Sequence, residues 1–178
     1  MLDVIHTPAE RQPEPAPRTT RHRFAFGGVA FEILADEGVQ WALPAAYQRY
    51  VHAVSEGPVV ADVFCSVVLD RVAVVRTNPP SHRLELDTQA HGMRMHSAYF
   101  RADLTRVSSQ RYAVTARLSQ HPKAVVALLL ALTSGVVQLA SGVSTHATKI
   151  DLEAGLAEPT ELALREFIAA HEPGGHHA

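Results

Sequence analysis

The sequence predicts an α+β fold: a mainly antiparallel sheet, made of a hairpin and a meander, packed by an apolar helix and a C-terminal amphipathic helix. Period-two alternation of apolar and polar residues recurs in five or more segments, whereas only three segments show helical spacing. The alternating segments after residue 82 are joined by short polar turns, too short for the crossover helices that parallel strands require. With 178 residues, 47% of them hydrophobic and 19% charged, the chain suits one packed domain and excludes disorder throughout.

The N-terminal stretch PAERQPEPAPRTT alternates prolines with polar or small residues. It can neither form a helix nor pair as a central strand, so Met1 to about Thr20 reads as a disordered tail. Residues 21–172 then form a single globular domain, and 173–178 a flexible tail. Arg18, Arg21, His22 and Arg23 read as a solvated linker, with an anchor for an acidic partner as the sharper alternative.

The globular part opens with RFAFGGVAFEILAD. Phe24 and Phe26 alternate with Arg23 and Ala25, and Val29, Phe31 and Ile33 alternate with Ala30, Glu32 and Leu34. Alternation on both sides of Gly27-Gly28 is a hairpin pattern. In ALPAAYQRYVHAV, Leu43, Tyr47, Tyr50, Val51 and Val54 fall at helical spacing, with Pro44 suited to a first turn. VVADVFCSVVLD reads as an interior strand, with Val59, Ala61, Val63 and Cys65 on one face and Val60, Asp62, Phe64 and Ser66 on the other. Arg71–Arg76 reads as another short strand, ended by Asn78-Pro79-Pro80. HRLELDT, MRMHSAYFRADL and RYAVTARLS form the meander.

Residues 124–140, AVVALLLALTSGVVQLA, are apolar around the whole helical circumference. A membrane span needs about 20 apolar residues and aromatic flanks, so a helix buried against the sheet is the better reading and a membrane location is disfavoured. Thr133, Ser134 and Gln138 fall in one narrow arc, expected to face solvent or another chain. SGVSTHATKIDLEAG follows as a strand, and PTELALREFIAAHE closes the domain as an amphipathic helix with Leu164, Phe167 and Ile168 as its stripe.

The segment LLLALTSGVVQLASGVSTHATKI resembles the stretch ahead of the nucleotide site in HPr-kinase-like proteins. There an apolar helix runs into a Gly-to-His-Ala strand; the matching positions here are Leu139, Gly142, His146 and Ala147. The hairpin, helix and meander upstream also suit that family's β-rich leader, so the resemblance spans about residues 23–150. It would imply phosphate chemistry, but the chain lacks the loop that performs it. After His146 it reads ATKIDLEAGLAEPTELALREF, and no G-x-x-x-x-G-K-S/T occurs anywhere. Only Gly155 lies in that window and Lys149 precedes it, so the glycine-rich loop with its following Lys and Mg-holding hydroxyl is missing. The resemblance therefore implies a leader region without kinase or phosphorylase activity.

Other chemistry has sparse support. His91, Met93 and Met95 would share one strand face, with His96 nearby; imidazole and thioethers are soft ligands suited to Cu(I). The competing reading packs both methionines in the core. The single cysteine, Cys65, excludes an internal disulfide and a Cys-rich zinc site, and its apolar strand makes a nucleophile unfavourable. His171, His176 and His177 lack the fixed partners a zinc site needs. Asp62 interrupts an apolar strand; it either faces water or pairs with an arginine.

With 16 basic and 18 acidic residues, net charge is −2, which argues against nucleic acid. No secretory signal is visible, so a cytoplasmic location is the default, and the Arg-over-Lys, Ala- and Val-rich usage is bacterial in style. No catalytic residue and no cofactor is implied. The sequence favours a non-catalytic binding or assembly module whose partner is another protein or itself. It would bind through the meander, the edge strands or the 124–140 region. The alternative is a phosphotransferase-related protein acting with a separate nucleotide-binding partner.

Overall fold

The computed structural model describes residues 18–56, 59–70, 83–140 and 148–151. It is an α+β structure: nine strands form one sheet, and a long helix lies on one side of it. Residues 1–17 of the N-terminal tail, the 71–76 strand, the C-terminal helix and the 173–178 tail lie outside the described residues, whereas Thr19 and Thr20, expected to end that tail, begin the first strand.

β1 (Thr19–Phe26) and β2 (Val29–Asp36) form the expected hairpin. Its turn residues Gly27 and Gly28 have φ of 58° and 79°. Two consecutive positive φ values match the twist of a tight hairpin and favour glycine. The strand starts at Thr19, slightly upstream of the alternation that begins at Arg23.

The helix expected over residues 42–54 is not formed as such. α1 spans only Ala45–Gln48, β3 is Val51–His52, and a 3-10 turn covers Val54–Glu56. The i→i+3 bond from Tyr50 N–H to Tyr47 C=O closes the helix early. Val51, β-branched, instead pairs with Phe26 on the sheet edge. The same apolar residues still serve the core. Trp41 lies against Phe24, with ring centroids 6.4 Å apart, and Tyr47 is buried.

β4 (Ala61–Leu69) is interior, as its composition indicated, but its pairing is parallel on both sides, to β2 and to β8 (Arg111–Leu118). β5 (Arg83–Gln89), β6 (Gly92–His96), β7 (Phe100–Arg106) and β8 form the antiparallel meander. β9 (Thr148–Asp151) adds to β5. The order is β3-β1-β2-β4-β8-β7-β6-β5-β9.

Register makes the sheet one-sided. Phe31, Val63 and Tyr112 are lateral neighbours, as are Ile33, Cys65, Val114, Leu104 and Met93. All are buried. Each strand alternates, so every second residue points away from this core.

α2 (Ala124–Ala140) begins just after Pro122 and packs on β6, β7 and β8. Gly135 sets the approach: a Cβ there would collide with Met95 Cε and press on Met93 Sδ and Leu104 Cδ2 at 3.3 Å. Gly135 thus faces the sheet. Thr133, Ser134 and Gln138 are 1%, 0% and 4% exposed, which corrects the expectation that this arc faces solvent. The Thr133 hydroxyl donates to the Leu129 carbonyl at 2.8 Å, so the helix itself satisfies it. No described helix is long and apolar enough to cross a membrane.

Candidate functional site

Burial disposes of one expected interface and shortens another. Leu128, Leu129, Leu130 and Leu132 on α2 are at most 1% exposed, so the 124–140 region is core rather than a docking surface. The sheet ends in short strands, two residues in β3 and four in β9, and short edges offer little backbone for strand addition. What remains broad and exposed is the outward face of the meander together with β4.

Pairing lays this face out in rows across the strands. One row runs Arg21, Leu34, Ser66, Thr115, Asp103, Arg94, Asp87. A second runs Glu32, Phe64, Ala113, Thr105 and Gly92. Phe64 is 44% exposed and forms a small apolar patch with half-buried Leu34 and Ala113. A third row runs Val68, Arg117, Arg101, His96 and Glu85.

Most cations on the face have an acidic neighbour. Arg21 pairs with Glu32 at 3.1 Å. Arg94 Nε donates to Asp103 Oδ1 at 3.0 Å; that bond, then the Asp103 charge, holds the guanidinium above its ordinary value. Arg111 lies opposite Asp62. Arg101 and Arg117 differ. They lie directly opposite each other, both exposed, and neither has an ion pair among the described residues. Like charges in that position repel, so the fold gains nothing from placing them there. His96 extends the line on the next strand.

The structure separates the residues singled out from sequence. Met93 and Met95 are buried against Gly135, whereas His96 is exposed on the opposite face. His91 is exposed in the β5–β6 turn, its carbonyl accepting the Arg106 N–H at 2.8 Å. The two histidines and two methionines therefore do not converge, and among the described residues no three His, Cys, Asp or Glu side chains do. Cys65 is fully buried, and desolvation pushes its thiol up to about 12. Asp62 is exposed. The basic cluster is split by strand alternation: Arg21 and Arg23 are exposed, while half-buried His22 meets Trp41 at 6.0 Å between ring centroids. Gly142, His146, Ala147 and the C-terminal histidines lie outside the described residues.

A cleft of about 260 Å³ opens at one end of the meander, between His91, Gly92, Arg106, Ser108 and Leu139. Arg106 Nε is held by the Ser108 carbonyl at 3.3 Å. The cleft gathers one imidazole and one guanidinium, with neither a nucleophile–base pair nor an acid pair.

Sequence reading missed Arg101 and Arg117. Each looks like an ordinary solvent-side residue of an alternating strand, and only the register of β7 on β8 makes them neighbours. The signal was the four-residue turn 107–110, which fixes that register.

No protein-family model matches the chain, and no curated protein or solved structure matches it.

Proposed function

We propose that the protein is a non-catalytic binding module that engages another protein through the open face of β4, β8, β7 and β6. The observation that carries this reading is the Arg101–Arg117 juxtaposition, a repulsive pair without an ion-pair partner among the described residues, near the strand ends of an exposed face on which the other arginines have acidic neighbours. A pair that costs the fold something is accounted for if a partner neutralises it. The small apolar patch around Phe64 supplies the uncharged contact area a protein partner would need. Among the described residues, Cys65, His91, His96, Met93 and Met95 do not come together. Kinship with the leader of HPr-kinase-like proteins is a further proposal, supported by the quoted residues and by an apolar helix running towards a strand at 148–151.

The test is affinity capture with the full chain, compared with Ser66→Trp and Thr115→Trp. Both positions are exposed at the middle of the face, so bulk there blocks docking without entering the core. Proteins retained by the wild type should be lost from both variants at unchanged melting temperature. Retention of the same proteins by both variants overturns the reading.

A further inference from the structure

We infer that the partner docks an acidic α-helix across the strands, along the row Val68–Arg117–Arg101–His96. The inference rests on the binding reading above and names the chemistry and shape of what binds. The four residues occupy β4, β8, β7 and β6, four consecutive strands, and each is the direct lateral neighbour of the next. Adjacent strands are about 4.8 Å apart, so the row offers contact points at about 0, 4.8, 9.6 and 14.4 Å.

An α-helix rises about 1.5 Å per residue, so positions i, i+3, i+7 and i+10 lie on one stripe at about 0, 4.5, 10.5 and 15 Å. Every position agrees with the row to within about 1 Å, a mismatch that long side chains absorb. An extended strand fits less well: its same-face residues recur at about 6.7 Å, out of step with the row after one repeat. Charge then sets the residue types. Two guanidiniums and an imidazole call for carboxylates at i+3, i+7 and i+10, and half-buried Val68 for an apolar residue at i.

A polyanion such as nucleic acid fits worse. Asp103 and Asp87 lie in the neighbouring row, and Glu85 lies at the end of this one, so a continuous phosphate chain would meet carboxylates on leaving the arginines. A short acidic stripe does not have to leave them.

The probe is a labelled alanine-rich helical peptide carrying Leu at i and Glu at i+3, i+7 and i+10, read by fluorescence anisotropy with the full chain at low salt. Its counterpart carries Gln at the three acidic positions. The Glu peptide should bind, weakening with added salt, and the Gln peptide should bind about tenfold less tightly. Arg101→Gln with Arg117→Gln should lose the same factor while keeping or raising the melting temperature, since two facing like charges are removed. Arg101→Glu with Arg117→Glu should reverse the preference, binding a Lys version of the peptide over the Glu one. Equal binding of the Glu and Gln peptides overturns the inference. So does full affinity in the double Gln variant, or an oligothymidylate that displaces the Glu peptide at lower concentration. If the Trp variants abolish partner capture while the arginine variants leave it intact, the helix inference falls and the binding reading stands. If neither set touches capture, the binding reading falls with it.

Discussion

Cys65 lies between Ile33 and Val114 across the sheet, with no exposed surface. Burial moves its thiol from 9.0 to about 12. Between those two values the unfolded chain releases the proton and the folded chain keeps it, so stability is complete below about pH 9 and falls as pH rises towards about 12. Buried Tyr47 is raised as well, chiefly by desolvation and secondly by Tyr50, and acts in the same direction. Denaturation free energies measured from pH 8 upward, an alkaline series about two units long, should decline, and Cys65→Ala should decline less steeply. A native thiol titration at pH 8 should leave Cys65 unmodified until denaturant is added. Gly92 makes a second claim at this scale. A Cβ there would strike the Leu104 carbonyl oxygen of the paired strand. Backbone in a ladder cannot shift as a side-chain tip can, so Gly92→Ala should cost about 1–3 kcal/mol by chemical denaturation. Cys65 and Asp62 were legible from sequence because strand parity alone decides their faces. Gly92 was not, because the obstructing atom belongs to a strand more than ten residues away.

α2 is the element on which the right half of the core depends, and its residues from 124 to 136 are all buried. Leu129→Ala should cost about 2–5 kcal/mol and lower the melting temperature accordingly; an unchanged melting temperature would mean that the helix is not core. The boundaries of α2 could be read from the sequence because a charge-free apolar run has one structural use in a domain of this size. Its rotation could not. A polar arc usually faces water, whereas here Thr133, Ser134 and Gln138 are buried, with the Thr133 hydroxyl donating to the helix's own Leu129 carbonyl. Gly135 was the available signal, since a glycine in an apolar helix marks the side of closest contact. The 42–54 segment failed for another reason. Tyr47, Tyr50 and Val51 at helical spacing describe any segment laid over the first hairpin, and pairing of Val51 with Phe26 decided against helix.

At the scale of the whole molecule, alternation revealed that one face of the sheet is apolar, but not which strands are neighbours. The hairpin and meander are local pairings and followed from their turns. The arginine row crosses strands that alternation treats independently, so the candidate site emerged only with the sheet order. Among the described residues, that order also makes β4 the sole lateral link between two ribbons, β3-β1-β2 on one side and β8-β7-β6-β5-β9 on the other. Each ribbon is built around antiparallel neighbours joined by short loops, β1-β2 in one and β5-β6-β7-β8 in the other, which can pair early, with β3 and β9 added at their edges. β4 has no such partner. It must find β2 in parallel, and then β8 about forty residues downstream. Such distant pairings form late and slow the search. The expected order of events is two ribbons condensing first, with β4 zipping between them as the committing step. Pulsed hydrogen exchange during refolding should therefore protect β7 and β8 amides before those of β4. At equilibrium the β4 amides should exchange only through global unfolding, because freeing this strand parts the sheet into two pieces.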